Sequence, residues 1–112
     1  MHVYSFEKLE VWNEAILLAV NTYKTTDLFP NEKKFGLVSQ MRRSSVSISS
    51  NIAEGTARQT NKDKAHFLSV AYSSSLELLN QAILAKELKF ISEENYKNIR
   101  LEVESVTNKI MP

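Results

Sequence analysis

Apolar residues recur every three or four positions along most of the chain, which is the spacing of one face of an α-helix. In the first segment this spacing predicts a buried stripe of Leu9, Trp12, Ile16, Ala19 and Tyr23. Ser5 is a candidate cap, and Pro30 ends the segment because it disfavours helical geometry at Phe29. We therefore predict a first helix over residues 6–26, with Trp12 substantially buried.

The second segment has a similar apolar stripe, formed by Leu37, Met41, Ile48 and Ile52. Asn31 is a good N-cap with Glu32 in the first turn, and Gly55 is the predicted left-handed terminator, so the helix should span residues 32–54. The segment is also rich in serine. Small side chains allow helices to approach closely, and hydroxyls can bond to the preceding turn. We therefore interpret the serines as packing residues.

Two further helices follow from the same spacing. Thr60 and Asp63 resemble a capping box that opens a helix over residues 61–89, with an inner face of Leu68, Ala71, Ser75, Leu78, Ala82 and Ala85. Ser92 opens a helix over residues 93–110, with the stripe Tyr96, Ile99, Val103, Val106 and Ile110. Four amphipathic helices with short connections predict an all-α fold, an antiparallel up-and-down four-helix bundle that forms one domain over residues 1–112.

The amino-acid composition excludes several fold classes and kinds of site. The 112 residues include 2 Gly and 2 Pro, too few for the many tight turns of an all-β fold, and no Cys, which excludes a disulfide or a thiolate metal site. Neither His2 nor His66 has a second ligand at helical spacing, and the serines of the second predicted helix have no nearby histidine to activate them. We expect no metal site, no cofactor and no enzymatic activity. The sequence has no membrane-length apolar run and no secretory signal, so we predict a cytoplasmic protein.

The charge is unevenly distributed. The net charge is +1, but residues 31–64 carry seven basic and three acidic side chains, a local balance of +4. Such a patch can attract an anionic partner even when the total charge is small. The candidate nucleic-acid-binding residues in this segment are Arg42, Arg43, Arg58, Lys62 and Lys64. A solvated helix end and loop is the alternative interpretation.

A polar stripe follows one face of the second predicted helix, formed by Gln40, Arg43, Ser47, Asn51 and Glu54. Arg43 and Glu54 are separated by about 16 Å of helix, too far to neutralise each other. If the stripe is buried, each charge needs a partner on another helix or another subunit. Glu77 is the predicted intramolecular partner of Arg43, a neighbouring subunit is the alternative, and the stripe can also be ordinary solvated surface.

The motifs resemble a known family. Leu9-x-Val11-Trp12, Phe29-Pro30 and Gly36-Leu37 lead to a central block of Gln40-Met41-Arg42-Arg43, Val46-Ser47-Ile48 and Asn51-Ile52-Ala53-Glu54-Gly55. With Phe67-Leu68, Glu77-Leu78 and Ile91-Ser92, the pattern over residues 6–92 resembles the S23-type four-helix proteins, which are often encoded by intervening sequences in bacterial 23S ribosomal RNA genes. Two positions depart from the family pattern: Lys33 stands where Glu is usual and Ser73 where Gly is usual.

The resemblance implies a four-helix bundle that assembles with copies of itself, commonly as a pentamer. A relative, the accessory variability protein of diversity-generating retroelements, forms such a barrel and binds nucleic acid. Our leading hypothesis is therefore a non-enzymatic homo-oligomer whose basic segment contacts RNA or DNA with weak sequence specificity, because Phe35 is the segment's only aromatic residue. The competing hypothesis is a protein-interaction scaffold without a nucleic-acid ligand. We expect no membrane partner.

Overall fold

A computed structural model describes residues 1–30 and 36–111, which form four α-helices and one short 3-10 helix. The 3-10 helix spans Ser5–Lys8. The α-helices are α1 (Glu10–Thr26), α2 (Leu37–Thr56), α3 (Asn61–Glu87) and α4 (Glu93–Ile110). The described ranges contain no β-strand. The predicted cap at Asn31 and the departure at Lys33 lie outside the described residues.

Each helix packs against its neighbours in chain order, and α4 returns to α1. Side-chain contacts give the directions. Ser44 bonds to Glu77 and Ser47 to Ser74, so α2 and α3 are antiparallel. Asn21 bonds to Glu102 across the α1–α4 contact, and closer to the start of α1 Lys109 pairs with Glu14, so these helices are antiparallel as well. The predicted up-and-down four-helix bundle is confirmed.

The buried face of α1 differs from the predicted one. Its buried residues are Ala15, Leu18, Thr22 and Thr26, whereas the predicted stripe members Leu9, Ile16 and Tyr23 are exposed. The hydroxyls of Thr22 and Thr26 donate to the carbonyls of Leu18 and Thr22, each at 2.8 Å. Because these bonds satisfy the hydroxyls, two polar residues can occupy the core face and rotate the helix away from its more apolar side.

Trp12 lies at the edge of the core. It is partly buried, packs against the core cluster, and meets the Phe6 ring edge-on at 5.0 Å between ring centroids. Phe6 belongs to the 3-10 helix, so the residues before α1 cover Trp12 rather than extend α1. Ser5 therefore begins a separate turn and does not cap α1, which starts at Glu10 instead of residue 6.

The other helices bury the predicted stripes. Met41, Ile48 and Ile52 of α2 are buried and Leu37 is partly buried. In α3, Ala71, Ser75, Leu78, Ala82 and Ala85 are buried and Leu68 packs partly against the core; in α4, the buried residues are Tyr96, Ile99, Val103, Val106 and Ile110. The N-caps predicted at Thr60 and Ser92 are confirmed, since each side-chain oxygen accepts from the backbone N–H three residues later, at 3.1 Å.

The prediction that Gly55 ends α2 in a left-handed conformation is wrong. It is buried inside the helix, and the glycine with positive φ in the described residues is Gly36, which precedes α2 with φ 85°. A Cβ atom at residue 55 would lie 3.1 Å from the Cβ of Phe67 and 3.7 Å from the Lys64 carbonyl oxygen. Gly55 is therefore needed for the close approach of α3, and its missing side chain is a packing feature.

The end of α3 uses a lysine where glycine is more common. Lys89 has φ 63°, and its N–H donates to the Lys86 carbonyl at 3.0 Å while the Phe90 N–H donates to the Ala85 carbonyl at 2.9 Å. This pair of bonds is the Schellman arrangement that satisfies the last carbonyls of a helix. It ends α3 at Glu87, before the predicted residue 89, and brings Phe90 to within 5.8 Å of the buried Phe29 ring.

The close contact at Gly55 is testable by substitution. We expect Gly55→Val to lower the free energy of unfolding by about 1–3 kcal/mol, because the added side chain must displace Phe67 or separate α2 from α3. Urea denaturation followed by circular dichroism measures this loss. Ser50→Val, at an exposed site of α2, is the matched control for a β-branched residue in the helix. Equal stability of the two variants would contradict the packing role of Gly55.

Candidate nucleic-acid interface

Arg42 and Arg43 are adjacent in sequence but have different surroundings. Arg42 turns toward α1, where its guanidinium lies 4.7 Å from the centre of the Tyr23 ring and donates to Thr26 Oγ1 at 3.0 Å. It also forms an ion pair with Asp27 at 2.7 Å. This carboxylate already balances the Arg42 charge, and the contacts join α1 to α2. The phosphate contact predicted for Arg42 stays a prediction, but the arrangement favours a structural role.

Arg43 is exposed on the outer side of α2. The predicted ion pair between Arg43 and Glu77 is not formed; Glu77 Oε1 instead accepts hydrogen bonds from Ser44 at 2.9 Å and Gln81 at 3.3 Å. Within residues 1–30 and 36–111, Arg43 has no ion pair. The alternative, a partner on a neighbouring subunit, stays a prediction.

The rest of the polar stripe divides into a packed centre and exposed ends. Ser47 and Ser74 share a hydrogen bond at 2.8 Å, and Asn51 donates to the Ser47 carbonyl at 2.8 Å. Gln40 and Glu54 are exposed. The centre of the stripe therefore belongs to the α2–α3 contact inside the bundle, while its ends remain accessible to a partner.

Three predicted basic residues come together where α2 ends and α3 begins. Arg58 follows the end of α2, and Lys62 and Lys64 lie in the first turn of α3; all three are exposed. The Arg58 guanidinium lies 4.4 Å from the centre of the Phe67 ring, a cation–π contact that holds it against α3. None of the three forms an ion pair with a carboxylate in the described part of the chain. We call these residues the basic corner.

The basic corner is distant from Arg42. The 14 residues from Arg42 to Thr56 correspond to about 20 Å of helix. Of the five basic candidates, the three of the basic corner therefore lie together at one end of the bundle. Arg43 lies on the outer side of α2, and Arg42 is paired with Asp27. Lys64 also lines an open cleft of about 270 Å³ whose walls include Leu9, Val11, Ile52, Leu68 and Ile110.

The histidines and acidic residues of the described ranges do not assemble into a metal site. His66 is exposed and meets the neighbouring Phe67 ring edge-on, and His2 lies beside Tyr4 near the amino end. Within residues 1–30 and 36–111 no group of three or more His, Cys, Asp or Glu side chains could hold an ion. In the same residues no helix combines the length and the apolar character needed to cross a membrane.

A polar cluster between α1 and α4 was not predicted. Glu14 accepts hydrogen bonds from Ser105 and pairs with Lys109 Nζ at 2.9 Å. The Ser105 hydrogen bond lowers the pKa of Glu14, burial opposes this effect, and Lys109 lowers the pKa further. The sequence signal that could have found the cluster is the spacing of Ser105 and Lys109, four residues apart on one side of α4.

Glu102 lies in the same groove with an incomplete set of partners. Asn21 donates to Glu102 Oε1 at 2.7 Å, but Glu102 Oε2 is shielded from solvent and has no hydrogen-bond donor among the described residues. Burial raises the pKa of Glu102, and the Asn21 hydrogen bond lowers it by less. An open cleft of about 460 Å³ lies beside it, lined also by Lys24, Leu28 and Leu101.

The role of Arg42 is tested by its removal. We expect Arg42→Ala to lower the free energy of unfolding by about 1–2 kcal/mol, because the variant loses an ion pair, a cation–π contact and the bond to Thr26. Lys97→Ala, at an exposed position of α4, should cost less than about 0.5 kcal/mol. Chemical denaturation of both variants gives the comparison, and equal effects would show that the Arg42 contacts are not stabilising.

The Glu14 carboxylate makes stability depend on pH. Its pKa is lower in the folded state, so the ionised group stabilises the fold above the pKa of the unfolded chain, about 4.3. This contribution is lost as the pH falls through the folded-state pKa. We expect Glu14→Gln to cost about 1 kcal/mol at pH 7 and close to nothing in acid. Denaturation curves at several pH values measure the difference, with the exposed Glu87→Gln as control; a pH-independent cost would contradict the prediction.

Comparisons with known proteins agree with this architecture. The sequence matches the family model of the 23S rRNA-intervening sequence protein over residues 7–111. A similar solved structure is a protein of unknown function from the S23 ribosomal protein family of Bacteroides thetaiotaomicron VPI-5482, 24% identical, with a TM-score of 0.84 and coverage of 90% of this chain and 94% of that chain. At this identity the likeness shows a shared fold. No curated protein matches the sequence. Because the family model covers nearly all of the sequence, this chain belongs to the 23S rRNA-intervening sequence protein family.

Proposed function

We propose that this family member acts by binding rather than by catalysis. In this proposal, copies of the bundle associate with one another and contact RNA or another nucleic acid through Arg58, Lys62 and Lys64. The observation that carries the proposal is the basic corner itself: three exposed cations lie where α2 ends and α3 begins, and none forms an ion pair with a described carboxylate. Exposed cations without an ion-pair partner, held on a rigid support, suit phosphate contacts.

The geometry of the corner favours phosphates over bases. The first turn of α3 begins at Asn61, and the amino end of the helix dipole adds partial positive charge beside Lys62 and Lys64. The ring of Phe67 is covered by Arg58 and is therefore not free to stack on a base. Sequence-specific reading of single-stranded RNA generally uses exposed aromatic rings. The proposed contact is consequently electrostatic and weakly sequence-specific.

Self-association strengthens such a contact. Three cations give a weak phosphate site, but several copies held in one assembly would present several corners to the same strand, and avidity would raise the overall affinity. The alternative function, a protein-interaction scaffold, is favoured by one observation: the side chains of Leu17 on α1, Leu28 just after α1 and Leu101 on α4 are exposed. A nucleic-acid binding measurement separates the two functions.

We expect mixed-sequence RNA to bind at low salt and to dissociate steeply as salt rises. Replacing Arg58, Lys62 and Lys64 by Ala should weaken binding to all sequences equally and reduce the slope of log K against log salt by about 2, which corresponds to three lost contacts with a single strand. Fluorescence anisotropy with labelled RNA over a salt series provides both quantities.

The control removes the same charge elsewhere. Lys24→Ala, Lys97→Ala and Lys89→Asn together delete three exposed cations away from the basic corner, and Asn is chosen at residue 89 because it tolerates positive φ. This variant should retain the wild-type salt slope. Equal losses in both triple variants, or no RNA or DNA binding at low salt, would overturn the nucleic-acid proposal and favour the scaffold.

A further inference from the structure

An apolar cleft opens at the end of the bundle where the basic corner lies. Its volume is about 270 Å³, and all four helices contribute to its walls together with the residue that precedes α1. Its aliphatic lining residues are Leu9, Val11, Ile52, Leu68 and Ile110. Spaces between the helices of a bundle are common ligand sites, and this volume is close to the lower limit of small-molecule pockets, about 300 Å³. We call this space the apolar cleft.

The polar side chains that line the apolar cleft are few, and two of them already have partners. Thr56 Oγ1 donates to the backbone carbonyl three residues earlier at 2.7 Å. Lys109 Nζ lies 2.9 Å from a carboxylate oxygen of Glu14, so its charge is balanced. Lys64 also lines the cleft, but it is exposed and has no ion pair in the described part of the chain. The cleft therefore combines an aliphatic wall with an available cation at Lys64.

This combination disfavours nucleobases and peptides as occupants of the apolar cleft. Nucleobases stack on aromatic rings, whereas the apolar residues that line this cleft are aliphatic. A peptide segment would bury backbone N–H and C=O groups. Because Thr56 and Lys109 are already bonded, most of those groups would have no partner in the cleft. A hydrocarbon chain has no such groups to satisfy, and it gains free energy from burial.

We propose that the apolar cleft binds a small aliphatic carboxylate, with its hydrocarbon chain against the aliphatic wall and its carboxylate at Lys64. Because the cleft is small, a single chain of medium length suits it better than a lipid with two long chains. A lysine suits the opening, since its flexible stem can lie along an apolar surface while the ammonium group stays in water. This ligand site goes beyond the proposed function and does not depend on it.

Lys64 belongs both to the apolar cleft and to the basic corner. A carboxylate bound at Lys64 would balance one of the cations that the basic corner offers to a nucleic acid, so the bound ligand would weaken RNA binding. This regulatory consequence rests on the proposed function, whereas the ligand site itself does not. RNA binding that stays unchanged when the cleft is saturated would overturn the consequence alone, and direct titration without RNA tests the site.

Isothermal titration calorimetry of the full chain with sodium octanoate provides this direct test. We expect saturable binding of octanoate and no binding of acetate, which has the same charge without the chain. From hexanoate to decanoate the affinity should rise about two- to fourfold for each added methylene, because each methylene is taken out of water. Octanol, the neutral analogue, should bind more weakly than octanoate. No saturable binding, or an affinity that does not depend on chain length, would overturn the proposal.

Substitution of Lys64 tests the carboxylate contact separately from the apolar contact. Lys64→Gln should weaken octanoate binding about two- to fivefold and leave octanol binding unchanged, because only the carboxylate interacts with the ammonium group. Lys8→Gln is the matched control, since Lys8 is exposed beside Leu9 at the same end of the bundle and does not line the cleft. Equal losses of octanoate affinity in the two variants would contradict a carboxylate contact at Lys64.

Filling the apolar cleft tests the position of the hydrocarbon chain. Thr56→Phe should weaken the binding of octanoate and octanol alike, at least tenfold, because the ring would occupy the space of the chain. Circular dichroism confirms that the variant folds; if it does not, Leu9→Phe fills the cleft from a position that is 37% exposed. Undiminished octanoate binding by a folded filling variant would overturn the proposal. Retention of the chain on phosphatidylglycerol vesicles without binding of free octanoate would also overturn it, in favour of a lipid surface.

Discussion

The close contact between α2 and α3 is the constraint on which the rest of the structure depends. Gly55 leaves space for the Cβ of Phe67. Elsewhere in the contact small serine side chains replace large apolar ones, and their hydroxyls form hydrogen bonds between Ser44 and Glu77 and between Ser47 and Ser74. Small side chains bring the helix axes together, but each buried hydroxyl must then find an acceptor in the neighbouring helix or in its own preceding turn. Meeting that requirement fixes the register of α2 on α3, and with it the orientation of the outward face of α2.

That orientation determines what the basic residues can do. With α2 fixed, Arg42 turns toward α1 and is neutralised by Asp27, whereas Arg43, one residue later and about 100° around the helix, faces outward. Arg58 lies beyond the end of α2 and stacks on Phe67. A segment with an excess of positive charge is thereby divided into a structural arginine, an outward arginine and a basic corner. The net charge of residues 31–64 does not show this division, because it sums the basic residues without regard to their positions.

The apolar pattern predicted the buried face of α4 correctly but not that of α1. The stripe of α4 was predictable because its buried positions are all apolar or aromatic. The stripe of α1 was not, since the pattern followed Leu9, Ile16 and Tyr23, whereas the helix buries Thr22 and Thr26 through bonds to its own carbonyls. Leu17 belongs to neither the predicted nor the observed stripe and is exposed beside Glu102, so an apolar side chain and an incompletely paired carboxylate lie together.

By itself, the sequence determined the helical class, the number of helices, most of their ends and the location of the excess positive charge, because these depend on spacing, capping residues and composition within short stretches. The family resemblance followed from the same local motifs. Only the tertiary structure decided which arginine is neutralised, why Gly55 lacks a side chain, which side of α1 is buried and which oxygen of Glu102 lacks a donor. These depend on distances between residues far apart in the chain, and local periodicity contains no information about the neighbour that a side chain meets across the bundle.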